Sequence, residues 1–262
     1  KAIAAGGDAG ALQAGLSAQL QQLDEDFAFV AQCNEGGEFM APERIERMQA
    51  IGRLSWLRTL SDRLGISYEE RQRKERSAEP PLPVQEPLLA DKPEHLFLRG
   101  ERDKLAENNP WGFKVKVPEY LYNRGELYNL CVARGTLSEE ERFKINEHII
   151  QTIIMLEKLP FPRHLRKVSE IAGGHHEKMD GNGYPKRLTR DEMSLPARMM
   201  AIADIFEALT AVDRPYKKGK TLSEAIKIMG FMKKDQHIDA ELFALFLRSG
   251  VYREYAERYM PG

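Results

Sequence analysis

The sequence predicts an all-α fold, and three observations carry that prediction. Apolar residues recur at helical spacing over most of the chain. Helix-start signals, a Ser or Thr followed three residues later by Glu, occur at Ser67/Glu70, Ser138/Glu141 and Thr221/Glu224. Alternating strand-like segments are scarce, with one short candidate at 113–117.

The elements follow in order. Residues 10–33 are rich in Ala, Leu and Gln, with Leu12, Leu16, Leu20 and Leu23 at helical spacing, and the Asn34-Glu35-Gly36-Gly37 cluster ends the run. Pro42 suits a first helical turn, and Ile45, Met48, Ile51 and Leu54 continue an apolar stripe toward Leu64. These helices are expected to form an antiparallel pair on the core. Ser67 opens a short charged helix to about Arg76. Five prolines between Glu79 and Pro93 leave few backbone donors, so this stretch reads as an extended linker. From Pro118 the helical pattern returns: a helix after Ser138, one from about Arg163 to Ala172, one from Ser194 to Thr210, one after Thr221 and one after Asp239. The organisation expected is a helical segment at 1–78, a proline-rich linker at 79–117 and a helical domain at 118–262.

Composition excludes several classes. The 262 residues carry 39 basic against 40 acidic side chains, a net charge of −1, so there is no general basic field for DNA. No apolar run approaches the ~20 residues that span a bilayer. Cys33 and Cys131 cannot build a disulfide framework and read as small packing residues. The chain starts at Lys1 without Met and is read as a piece of something longer.

The chemistry concentrates in few places. His148 lies on the apolar face of its helix, a position more often held by a satisfied core histidine. His175 and His176 follow a glycine pair at a helix end; adjacent imidazoles point apart and can serve two neighbouring ions. The helix from Ala197 to Leu209 is apolar almost all round except for Asp204. Buried there, a carboxylate needs a charged partner or a metal. One buried histidine, a histidine pair and a buried aspartate make a candidate site for hard-to-borderline cations, and the absence of thiolates among them argues against structural zinc. The string His175-His176-Glu177-Lys178-Met179-Asp180-Gly181-Asn182-Gly183-Tyr184-Pro185 then reads as a rigid turn-rich loop beside that site. Asp180 is a candidate to hydrogen-bond a ligating histidine.

That string, with Ala203-Asp204-Ile205-Phe206-Glu207-Ala208-Leu209-Thr210-Ala211-Val212-Asp213-Arg214-Pro215-Tyr216-Lys217 downstream, closely resembles the HD-GYP phosphodiesterases, a subgroup of the metal-dependent HD phosphohydrolases. The resemblance covers about Thr136 to Gly250. It implies an HD-like helical bundle holding two or three divalent ions, iron or manganese, and hydrolysis of cyclic di-GMP. By resemblance, His148, His175, His176 and Asp204 are metal ligands. Asp180, Gly183, Tyr184 and Pro185 belong to the signature loop, with Asp180 in a catalytic role and Gly183 and Tyr184 beside substrate. Arg214 and Lys217 match positions that hold substrate phosphate, and Lys217 is also read as catalytic.

One departure stands out. The family's His-Asp dyad lies upstream of the position matching His148, and no histidine in this sequence is followed by Asp. Either the dyad lies upstream of Lys1, with residues 1 to about 117 inserted in the family core and this piece inactive alone, or the protein is a degenerate module that binds a nucleotide or a signalling partner. The resemblance further implies a cyclic dinucleotide substrate, a diguanylate cyclase or other signalling partner, an upstream sensor domain and a cytoplasmic location, including the cytoplasmic part of a membrane-anchored sensor; the Leu-rich helices of the N-terminal segment are read as a candidate homodimer surface.

Overall fold

The computed structural model describes residues 8–106, 108–211 and 219–260. They are mostly helical, as expected, and fall into two compact units: one from 1–104 with 118–143, the other from 105–117 with 144–262. Among the described residues no helix is long and apolar enough to cross a membrane.

In the first unit, α1 (Ala9–Glu35) is capped by Asp8, whose carboxylate accepts from the Gly10 N–H. It buries only Asp26, Phe29 and Cys33. These meet α2 (Pro42–Gly52) in antiparallel sense: Asp26 pairs with Arg47 at 3.1 Å, and the Arg44 guanidinium donates to Cys33 Sγ at 3.3 Å. Phe29, Cys33, Met48 and Ile51 form the core, backed by Leu127 and Leu130 of α4 (Glu126–Leu130). The expected helical pair is thus made at one end only, and Leu12, Leu16, Leu20 and Leu23 are exposed instead of facing a core.

The stripe expected to run past Leu54 stops at Gly52, and β1 (Ser55–Arg58) follows. Its partner is β2 (Val84–Pro87), with Ser55 opposite Pro87 and Arg58 opposite Val84. The proline-rich stretch is therefore partly sheet. Its prolines sit at or outside the strand's ends, where no ladder donor is needed. Arg58, with a side chain 7% exposed, donates to Glu86 at 2.9 Å and closes the pair. The capped helix α3 (Tyr68–Lys74) lies between these strands in sequence. A second ribbon joins β3 (Leu96–Leu98) to β4 (Tyr120–Asn123).

In the second unit the backbone at 113–117 joins no ladder. Asn109 closes a turn on it through Phe113, and the Lys114 N–H donates to the Pro185 carbonyl at 2.8 Å. With no partner strand beside it, the strand expected there does not form. Phe113 instead packs on Ile149, Ile150 and Ile153 of α5 (Glu139–Glu157). The Ser138–Glu141 capping box that opens α5 is formed in both directions, at 3.0 and 3.2 Å. α6 (Val168–Gly173) ends against α5: a Cβ on Gly173 would lie 2.7 Å from Ile153 Cδ1, so only glycine allows this approach.

α7 (Leu195–Thr210), α8 (Leu222–Lys234) and α9 (Ala240–Ser249) enclose the second cluster, Ile202, Phe206, Ala225, Met229, Ile238 and Phe243. α10 (Val251–Tyr259) adds Tyr252 and Tyr255 at its edge. Asp239 fixes this arrangement. Its fully buried carboxylate caps α9 through the Glu241 and Leu242 N–H groups and takes Arg198 of α7 at 2.6 Å and Arg190 at 2.9 Å. Burial pushes the carboxyl up, but the Leu242 N–H and the two guanidiniums win and hold it below the usual range.

We expect Asp239→Asn to cost about 3 kcal/mol at neutral pH, because Arg198 loses its buried counter-charge. A depressed carboxylate contributes stability above its unfolded value, near pH 4, and loses it as pH falls through the folded value. The gap between wild type and variant in urea melts should therefore close below about pH 4.

Candidate metal centre

α5 and the end of α6 bring three imidazoles together. His148 lies near the middle of α5, and His175 and His176 follow α6 directly after the Gly173-Gly174 pair. The close approach at Gly173 carries the histidine pair to the flank of α5. One ligand atom from each of His148, His175 and His176 lies within 4.8 Å of the other two.

Backbone carbonyls set the rings. His148 Nδ1 is 2.7 Å from the Ile145 carbonyl, and His175 Nδ1 is 2.7 Å from the Ala172 carbonyl. A carbonyl oxygen only accepts, so each Nδ1 carries the hydrogen and each Nε2 keeps its lone pair. His176 Nε2 approaches His148 Nε2 at 3.3 Å. The His176 ring stacks on Tyr184, centroids 4.8 Å apart and planes 16° apart. Burial, then the neighbouring His175, pulls the His176 imidazole down to about 4 against the opposing pull of Asp204, so it is neutral at physiological pH. A neutral His176 beside two imidazoles whose Nδ1 atoms are turned to backbone carbonyls fits a borderline divalent cation.

Two expectations about burial are corrected. His148 is exposed, because α5 turns Ile149, Ile150 and Ile153 inward and leaves His148 at the rim of that face. Asp204 is half-buried, since α7 is not enclosed all round: Met199, Met200, Ala203 and Glu207 are exposed. Asp204 stands outside the three-imidazole group, but its charge reaches both His176 and Tyr184. Burial, then that charge, pushes the Tyr184 phenol up to about 12.

The tie expected between Asp180 and a histidine is not made. Asp180 is exposed and accepts from the Asn182 N–H and side-chain amide, both at 2.9 Å. These bonds hold its carboxyl below the usual range. A carboxylate two residues before a free N–H satisfies itself locally, and the histidines have their carbonyls. Gly183 is buried, and a Cβ there would overlap Glu177 Cα and the Lys178 N, so its visible part is close backbone approach. Arg214 and Lys217 lie outside the described residues.

The residue the sequence reading missed is Glu177. It is 1% exposed, and its carboxylate accepts from the Lys186 N–H at 2.6 Å and the Leu188 N–H at 2.9 Å. Between these donors Arg187 sits at φ +56°, a conformation a non-glycine residue adopts only when held. Burial pushes the Glu177 carboxyl up against those donors. The signal was available: a loop with so many backbone donors must send them somewhere. His237 was also missed. It is half-buried, and burial, followed by the Lys178 charge, lowers its imidazole against Asp180 and Asp235. No motif spacing marks it.

Fold and site together define a helical domain in which three histidines able to hold a metal ion lie beside a glycine-rich loop. The family described as HD domain matches residues 83–242, and the chain belongs to it, as a member of its HD-GYP subgroup. The chain is 36% identical over 147 residues to 3'3'-cGAMP-specific phosphodiesterase 1 of Vibrio cholerae, covering 53% of this chain and 33% of that protein. It is 42% identical over 86 residues to a cyclic di-GMP phosphodiesterase of Pseudomonas aeruginosa, covering 32% and 20%. A cyclic di-GMP phosphodiesterase of Thermotoga maritima is 37% identical over 93 residues, covering 36% and 25%. The chain thus spans a third or less of the length of these relatives.

Glu177→Gln should strip one backbone N–H of its acceptor and cost about 1–3 kcal/mol. We expect hydrogen exchange at Lys186 and Leu188 to speed up at least tenfold, with exchange in α8 unchanged.

Proposed function

We propose that this chain carries, in residues 118–262, part of the catalytic domain of a metal-dependent phosphodiesterase acting on cyclic dinucleotides. The observation that carries the reading is the meeting of His148, His175 and His176 with two Nε2 lone pairs preset by backbone carbonyls. On this reading His148, His175, His176 and Asp204 hold two or three ions, iron or manganese. Bound there, the ions supply a hydroxide nucleophile near neutral pH and neutralise charge on the phosphoryl oxygens. The His-Asp dyad that completes the ligand set in the family is not among the 262 residues. The neutral imidazoles leave their lone pairs free for ligation, and Tyr184 fixes the His176 plane by stacking. Glu177 keeps the signature loop against the histidine pair through the N–H groups of Lys186 and Leu188. Arg214 and Lys217 hold the substrate phosphate, a task suited to a planar guanidinium and an ammonium. Gly183 and Tyr184 lie alongside the nucleotide.

The names of the relatives support cyclic di-GMP and 3'3'-cGAMP as the candidate substrates. The reading extends to a cytoplasmic protein with an upstream sensor, a diguanylate cyclase or other signalling partner, and a homodimer. The second reading, binding without hydrolysis, rests on the lack of any His-Asp dipeptide among the 262 residues.

Two measurements test these readings. Calorimetric titration of the 262-residue chain with Mn²⁺ should show binding that weakens at least tenfold in His176→Ala, as expected for loss of a ligand. Unchanged affinity in that variant would remove the histidine centre. The full-length protein loaded with Mn²⁺ should open cyclic di-GMP or 3'3'-cGAMP, and the 262 residues alone should not. Metal binding without hydrolysis by the full-length protein would leave the second reading standing.

A further inference from the structure

We infer that the exposed face of α1 is a parallel, two-stranded coiled-coil seam that joins two copies of this chain. The inference supplies the surface for the homodimer reading and rests on it. Leu12, Leu16, Leu20, Leu23 and Phe27 are 40% to 77% exposed along one helix, an apolar row left open among the described residues of its unit. Single exposed leucines are ordinary, but a contiguous row of this length is an interaction surface.

The spacing favours another helix as the occupant. Leu16, Leu20, Leu23, Phe27 and Val30 advance by four, three, four and three residues. That average of about 3.5 residues stays on one face only when two helices supercoil left-handedly. Leu16, Leu23 and Val30 fall at d positions, and Leu20 and Phe27 at a positions. Val30 is the last of the row and already packs on the unit's core beside Phe29 and Cys33, so the seam is anchored at its C-terminal end.

Charge favours a second copy. No charged residue occurs from Ala9 to Leu23, so like helices meet without repulsion over that length. In a parallel pairing Asp24, at an e position, faces Gln19 of the other copy, and Asp26 is already buried against Arg47 of its own unit, so no acid meets an acid. An anionic lipid surface is disfavoured, because α1 contains no Lys or Arg and carries Asp24, Glu25, Asp26 and Glu35. The area suffices. Each of the five side chains leaves on the order of 100 Å² in water, so a pair would bury about 1,000 Å² of apolar surface, the lower bound for a specific interface.

The test is sedimentation velocity of the 262-residue chain at about 50 μM, with thermal unfolding as the folding control. The wild type should sediment at twice the chain mass. The Leu20→Glu/Leu23→Glu double variant should fall to under a tenth dimer while still unfolding in one cooperative transition, because both side chains are exposed in the single chain. A monomeric wild type would overturn both this inference and the homodimer reading. A dimer that persists in the double variant would overturn the α1 seam while leaving self-association standing. Mild oxidation fixes the orientation: Leu23→Cys should add a cross-linked dimer band above the wild-type background, and Gln21→Cys, on the outer face, should not. Equal cross-linking of the two variants would overturn the parallel register.

Discussion

Everything at the candidate centre depends on two short bonds from imidazole to backbone, His148 to Ile145 and His175 to Ala172, both at 2.7 Å. Each carbonyl lies three residues earlier in the chain, at positions where a helix or its last turn provides the acceptor. The bond spends one ring nitrogen and leaves the other as a lone pair aimed away from the backbone. Three such rings within 4.8 Å would repel if charged, and burial with mutual proximity keeps His176 neutral. His176 is thus held in the state in which imidazole binds cations.

Bringing the rings together is a packing problem solved by small residues. Gly173 lets the end of α6 lie against Ile153, and Gly183 lets the signature loop lie against its own strand of backbone at Glu177 and Lys178. The loop is then tied down by one buried carboxylate, Glu177, and by the Lys114 N–H on the Pro185 carbonyl. Asp239 does a parallel task with two guanidiniums, fixing α7, which carries Asp204, to α9. Both buried acids hold irregular backbone in place; at Asp239 the hydrogen bonds outweigh desolvation, whereas at Glu177 they only reduce its effect.

The first unit is of a different kind. Its core is small, built on Phe29, Cys33, Met48 and Ile51, and its two ribbons are each two-stranded. α1 leaves this core after one end and runs on with its apolar row in water. A helix of 27 residues extends about 40 Å, far beyond what four buried side chains can cover. The face that the sequence marks as apolar is thus set aside for something outside the unit.

What the sequence determined by itself was local and chemical. Ser138/Glu141, Thr221/Glu224 and Asp239 are helix starts written in side chains that bond their own backbone, and each is found as read. The His175–Pro185 string was enough for the family and for two of the three imidazoles. Tertiary structure decided whatever depends on what lies opposite. It made β1 and β2 out of segments read as stripe and linker, because a strand exists only where another chain segment completes its ladder. It left Leu16 and Leu20 in water and His148 at a rim, because periodicity says which residues share a face but not whether anything covers it. It gave Asp180 to Asn182 and the signature loop to Glu177, because a carboxylate's partner is chosen by distance in space.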